Sequence, residues 1–271
     1  MANLQKFLIA VAPNGARRSK HDHSALPLTP LELAREAASC LKQGAAMIHL
    51  HVRDQHDQHS LAAEHYRPAL KEVYNAVGED MLIQVTSEAA GRYQAREQMD
   101  AMLELDPRCV SLGLREIIPN LGAVEEGGIF IRKLKQQQTL IQYILYSKDD
   151  ILWYHTLCNM GVIPDKKNFI LLVLGRYSER PTEAGDLKDY LTALTGGAHW
   201  MACAFGAKES QVMQNAAKLG GHSRVGFENN LQMADGSIAD NNAALVTQTA
   251  LAAKSCQRLL CNANDARELF G

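Results

Sequence analysis

Gly44-Ala45-Ala46-Met47-Ile48-His49-Leu50-His51-Val52-Arg53-Asp54 is the stretch whose reading decides the fold. A helix-stopping glycine leads into the apolar run Met47–Val52, broken only by two histidines, and the run ends at once in Arg53-Asp54. A short apolar run bounded by polar punctuation reads as a buried strand of a parallel sheet. Upstream, Thr29 is placed to cap a helix, Pro30 occupies its first position, and Glu32 follows three residues after the cap. Leu33, Ala37, Ala38 and Leu41 then keep helical spacing up to Gly44. A second helical pattern follows at 62–77, so the strand lies between two helices, as in a β/α unit.

The same alternation extends in both directions. Strands are expected at Phe7–Ala12, Met47–Val52, Met81–Thr86, Cys109–Leu112, Leu140–Tyr146, Asn168–Leu174, Trp200–Phe205 and Arg224–Phe227. Helices are expected near 30–43, 62–77, 93–104, 124–138, 149–160, 184–194, 208–219 and 240–256, the seventh ending at Gly220-Gly221. Eight such units are the number that closes a (β/α)8 TIM barrel, and 271 residues are an ordinary length for one, so a single α/β domain over 1–271 is expected. An open doubly wound sheet would place a glycine-rich fingerprint after the first strand, and Pro13-Asn14-Gly15-Ala16-Arg17 does not supply one. The polar loop from Arg17 to Leu28 follows strand one, on the face where barrels assemble their active sites.

A formal net charge of −2 gives no electrostatic footprint for nucleic acid or for an anionic membrane. The apolar run Phe7–Ala12 is too short for a signal segment or a membrane span. The six cysteines (Cys40, Cys109, Cys158, Cys203, Cys256, Cys261) form no C-x-x-C pair and read as reduced, which points to the cytoplasm.

Chemistry concentrates at the end of strand two. Alternation sends His49 and His51 to one face with Leu50 opposite, so two imidazoles stand side by side where a barrel builds its site. An H-x-H by itself fits two satisfied polar groups as well as two metal ligands; the strand-end position favours ligation. A third ligand is offered by Glu228, in Arg224-Val225-Gly226-Phe227-Glu228-Asn229-Asn230, because strand eight of a closed barrel is only one strand away from strand two. Two histidines and one carboxylate with an open fourth position form a catalytic zinc arrangement. Gly226 reads either as a close backbone approach or as a simple bulge. His21, His23, His56, His59 and His65 sit in polar segments and are expected to be solvated; His222 reads as shaping the site or packing a loop. Arg17, Arg18 and Lys20 form a small charge run, compatible with anion binding or with a solvated face.

Ala12-Pro13-Asn14-Gly15, Pro27-Leu28-Thr29-Pro30, the Gly44–Asp54 stretch, Gly220-Gly221-His222-Ser223-Arg224-Val225-Gly226-Phe227-Glu228 and Asp265-Ala266-Arg267-Glu268 together resemble the β-keto acid cleavage enzymes over nearly the whole chain. That resemblance implies a zinc-dependent barrel, homo-oligomeric as a dimer or tetramer, that converts a β-keto acid and acetyl-CoA into acetoacetate and a new acyl-CoA. It implies His49, His51 and Glu228 as Zn2+ ligands, and Arg224, Asn229 and Thr86 as catalytic positions. Asn14, Thr86, Ser87, Glu116 and Arg224 are expected to bind substrate, with the register between Thr86 and Ser87 open.

Three positions depart from the family pattern. Asn229 stands where an aspartate is common, and an amide carries no charge, so Glu88 or Glu116 would have to compensate or the proton transfer would differ. Asn14 and Ile144 stand where the amino-substrate enzyme has glutamates. A cationic amino group would enter this pocket unpaired, so a neutral or anionic β-keto acid is expected instead. A metal-dependent hydrolase of the amidohydrolase kind is the competing enzyme class, but its further histidines are missing from Tyr146-Ser147-Lys148 and Gly175-Arg176-Tyr177. A barrel that binds ligand without turnover is the third reading.

Overall fold

The computed structural model describes residues 6–164, 167–175 and 186–270. Eight parallel strands close into a barrel: β1 (Ile9–Val11), β2 (Met47–Leu50), β3 (Leu82–Thr86), β4 (Cys109–Gly113), β5 (Leu140–Leu145), β6 (Phe169–Leu174), β7 (His199–Ala204) and β8 (His222–Val225). Each strand pairs with its sequence neighbours, and β8 returns to β1 through Ile9↔Ser223, Ala10↔Arg224 and Val11↔Val225. The expected TIM barrel is therefore present, with every expected strand in it.

Two boundaries moved for identifiable reasons. The second strand leaves the barrel after Leu50, and Val52–Arg53 instead pairs antiparallel with His59–Ser60 in a small hairpin over the mouth. The eighth strand begins two residues before the expected Arg224 and ends at Val225, because Gly226 takes φ 138° and turns the chain. At that φ the glycine packs directly on the Ala12 carbonyl, which a Cβ would hit, so Gly226 serves a close approach of β8 to β1.

Inward and outward side chains alternate as a barrel requires. Leu8, Ala10, Met47, Leu82, Cys109, Ile144, Phe169, Leu171, Val173, Met201 and Cys203 fill the interior, while Ile9, Ile48, Val110, Tyr143, Ile170 and Leu172 pack outward against the helices. The helices follow the expected spacing, among them Pro30–Lys42, Ala63–Val77, Ala95–Leu105, Val124–Gln136 and Asn242–Ser255. Thr29 and Glu32 form the reciprocal capping box read from the sequence. A short helix at Leu114–Ile117 and a closing helix at Ala263–Glu268 were not expected. The latter plugs the barrel floor, where Phe270 meets Phe169 edge to face with centroids 4.9 Å apart. Residues 184 and 185 of the expected sixth helix, and Arg176 and Tyr177, lie outside the described residues; the helix is described from Asp186 to Ala193. No described helix is long and apolar enough to cross a membrane.

Candidate metal centre at the barrel mouth

His49 is the last inward side chain of β2, sharing a face with Met47, and His51 follows just beyond the strand end. Their Nε2 atoms lie 3.1 Å apart. Closure of β8 on β1 brings the Glu228 carboxylate to 3.6 Å from His49 Nε2 and 3.3 Å from His51 Nε2. The edges of a tetrahedron built on zinc–nitrogen and zinc–oxygen bonds measure about 3.3 Å, so these three separations fit one ion bound by all three side chains. Among the described residues this is the one such group of histidine, cysteine or carboxylate ligands.

Several neighbours hold the three ligands in place. Gln84, opposite His49 in the β2–β3 register, accepts from His49 Nδ1 through Oε1 at 2.8 Å, leaving Nε2 turned toward Glu228. Asn14 Nδ2 donates to the His51 carbonyl at 3.0 Å. Gly15, at φ 62°, lies so close to Glu228 that a Cβ there would stand 2.6 Å from Glu228 Cγ. Behind the turn, Asn242 accepts from Phe227 N at 2.7 Å and donates to the Pro13 carbonyl at 3.2 Å, tying the ends of β1 and β8 together.

Electrostatics favour ligation over protonation. Burial, with Arg224 nearby, lowers His49 to about 4, and burial lowers His51 to about 3 against the pull of Glu228, so both rings are neutral at pH 7. Burial alone would raise Glu228, but Arg224 and the two imidazoles overcome it and hold the carboxyl well below its usual range. Arg224 Nη2 donates to Glu228 Oε1 at 2.8 Å and to Cys203 Sγ at 3.5 Å. Neutral imidazoles and an ionised carboxylate are the protonation states a divalent metal requires.

The remaining expected site residues separate into those that meet this centre and those that face elsewhere. Thr86 stands on the inward face with Gln84, and its hydroxyl accepts from Glu88 N at 3.0 Å. Ser87 turns to the next strand and donates to the Ser111 carbonyl at 3.2 Å. Glu116 accepts from Ala89 N and Gln98 Nε2 at 2.9 and 2.8 Å, anchoring the loop after β3; burial raises it. Glu88 itself reaches within 3.6 Å of His51 Nε2, and burial together with the Glu228 and Glu116 carboxylates pushes it up to about 8. Asn229 is buried with neither amide atom hydrogen-bonded among the described residues, so the contact with Arg224 that an amide there can make is not formed. Ile144 forms an apolar part of the inner wall.

The histidines outside the centre divide differently than expected. His59 is buried at 3% exposure, its Nε2 donates to the Glu88 carbonyl at 2.8 Å, and its ring lies 5.2 Å from that of His51. The hairpin that folds Ser60 back over Val52 encloses it, which polarity of the segment conceals. His23 packs against Phe227 at 4.3 Å and is half-buried, with its Nε2 2.9 Å from the Ala239 carbonyl. His222 accepts from Leu8 N and touches Phe7 and Phe169 on the floor side, far from the mouth, so it packs the barrel and does not shape the site. Lys20 pairs with Glu32 at 2.7 Å. Gln84 and Asn242 carried no sequence signal of their own, although a lone glutamine on the inward face of Leu82–Thr86 was a clue available from alternation.

Comparison with known proteins places this arrangement in context. The profile of the beta-keto acid cleavage enzyme family matches residues 6–271. The chain is 28% identical over 272 residues to a 3-keto-5-aminohexanoate cleavage enzyme of Fusobacterium nucleatum subsp. nucleatum, covering 98% of each chain. It is 26% identical over 275 residues to a 3-oxoadipate:acetyl-CoA acetyltransferase of Cupriavidus necator, covering 98% of this chain and 95% of the relative. Among solved structures, a binary complex of ObcA with oxaloacetate superposes with a TM-score of 0.75 at 15% identity, over 91% of this chain and 67% of that one, a likeness of fold.

Proposed function

The chain belongs to the beta-keto acid cleavage enzyme family, and from that premise we propose that it exchanges the acyl group of a β-keto acid with that of acetyl-CoA. In net terms the bond between C2 and C3 of the keto acid breaks and its carboxymethyl fragment joins the acetyl carbon as acetoacetate. The CoA sulfur takes the remaining acyl group. No water, oxidant or reductant enters the balance. Support comes from family membership and from a relative named for transfer with acetyl-CoA. The single observation that carries the chemistry is the convergence of His49 Nε2, His51 Nε2 and a Glu228 oxygen within one coordination sphere.

We assign zinc to that sphere; when bound it supplies Lewis acidity at the 3-keto oxygen. Every other contribution comes from the chain. Arg224, kept cationic because Glu228, Cys203 and Tyr146 together outweigh the cost of its burial, offers its guanidinium to a substrate carboxylate or a developing oxyanion. Thr86 offers a hydroxyl from the inward face, in preference to Ser87, whose proton is committed to Ser111. Asn229 offers an uncharged buried amide whose hydrogen-bonding capacity is unused among the described residues. The loop held by Glu116 carries Glu88 to the rim.

The proposed substrate is a neutral or anionic β-keto acid. Asn14 is buried and spends its amide N–H on the His51 carbonyl, leaving an uncharged oxygen, and Ile144 presents hydrocarbon. Neither can compensate an ammonium group. The relatives carry different substrates in their names at nearly equal identity, so these local residues weigh more than overall likeness. We further propose one catalytic domain over 1–271, a homo-oligomer, and residence in the cytoplasm, the last in keeping with six free cysteines. The test is to incubate zinc-loaded protein with acetyl-CoA and a panel of β-keto acids and to measure acetoacetate and acyl-CoA. Turnover of a neutral or anionic member above the amino compound is expected. The amino compound as best substrate overturns the specificity, and binding without turnover across the panel supports a ligand-binding barrel.

A further inference from the structure

The two histidines of the centre are held in different ways. His49 Nδ1 lies 2.8 Å from Gln84 Oε1, inside the barrel and away from water. On its other side Gln84 Nε2 donates to Gln142 Oε1 at 3.2 Å and faces Cys109 Sγ at 3.8 Å, which sets the amide oxygen toward His49. An amide whose nitrogen is engaged by an acceptor on one side must present its oxygen on the other. His51 has no equivalent: its Nδ1 is buried with no hydrogen-bond partner among the described residues.

We propose that Gln84, itself oriented by Gln142, is a positioning residue that locks His49 in the Nδ1–H tautomer and thereby presets the Nε2 lone pair toward the metal position. The consequence is an asymmetric centre. His49 is a preformed ligand whose ring cannot rotate without breaking a buried hydrogen bond, whereas His51 adopts its tautomer only when the ion arrives. A fixed tautomer removes the alternative in which a proton sits on the ligating nitrogen, and partners of this kind are typically worth about 10–100-fold in metal affinity. Gln142 acts only through Gln84, so the two side chains form one path and their effects on affinity are not additive.

The proposal rests on the zinc reading for its consequence but not for its geometry, and two measurements separate them. Nitrogen-15 NMR of the metal-free protein reports the tautomer directly: His49 is expected as Nδ1–H in the wild type, as a tautomer mixture in Gln84→Met, and again as Nδ1–H in Gln84→Glu, which restores an acceptor oxygen. Zinc affinity by chelator competition is expected to weaken about 10–100-fold in Gln84→Met, to recover in Gln84→Glu, to weaken less in Gln142→Met, and to fall no further in the double variant than in Gln84→Met. An Nε2–H tautomer in the wild type, or Gln84→Met with tautomer and affinity both unchanged, overturns the proposal. Wild-type protein that binds no zinc overturns the metal assignment instead, and the tautomer measurement then still decides the role of Gln84.

Discussion

Replacing Gly15 by alanine tests whether the end of β1 shapes the metal centre. The added Cβ would stand 2.6 Å from Glu228 Cγ and 3.1 Å from Glu228 Cβ, about 0.8 Å short of ordinary van der Waals contact at the nearer atom. Glu228 cannot absorb that by swinging freely, because Arg224 grips Oε1 and the backbone N of Glu228 is hydrogen-bonded to the Ala12 carbonyl at 3.1 Å. Ligand distances tolerate about 0.2 Å, so a shift of this size takes the carboxylate out of coordination. The backbone adds its own cost, since alanine at φ 62° loses about 1–2 kcal/mol relative to its preferred region. Gly15→Ala is therefore expected to fold, to melt a few degrees lower, and to bind zinc at least about 10-fold more weakly. Calorimetry of the metal-free protein and chelator competition measure the two effects separately. Zinc affinity equal to wild type refutes the inference that this glycine exists to seat Glu228.

Three further outcomes follow from the same structure. His49→Ala is expected to lose bound metal and turnover while keeping the far-ultraviolet spectrum of the barrel, because the ligand stands at the rim and not on the stabilising face; unchanged metal content by elemental analysis refutes the ligand assignment. Glu209 is buried at 1% exposure, and burial raises its carboxyl from an ordinary 4.5 to about 8. Below the unfolded value both states hold the proton; between the two values only the folded state does, so stability declines as pH rises through that window. Glu209→Gln is expected to melt close to wild type near pH 4.5 and above it at pH 8, and a pH-independent difference in Tm rules this out. Thr29→Ala removes the cap that accepts from Glu32 N and is expected to cost about 1 kcal/mol; a denaturant midpoint equal to wild type shows that the box contributes nothing.

Much of the barrel was legible because its causes are local. Thr29, Pro30 and Gly44 mark a helix by their own conformational preferences, and the run from Met47 to Leu50 can only be buried. The boundaries that failed, at Val52 and Phe227, failed because hairpin pairing with His59–Ser60 decides the first and the close approach of Gly226 to the Ala12 carbonyl decides the second, and neither partner lies in the local stretch. His59 was misread for the same reason: a polar segment says nothing of the hairpin that encloses it.

The sequence alone determined that strands and helices alternate, that two imidazoles share a face at a strand end, and that a carboxylate waits near the end of the last strand. These follow from periodicity and capping, which act over a few residues. Only the closed barrel decided that Glu228 meets both rings, that Gln84 and not another side chain holds His49, that Arg224 pairs with Glu228 and leaves the Asn229 amide unengaged among the described residues, and that Glu88 stands beside His51. Those contacts join residues up to about two hundred positions apart, and their geometry is set by strand register and barrel closure, quantities no local stretch of chain contains.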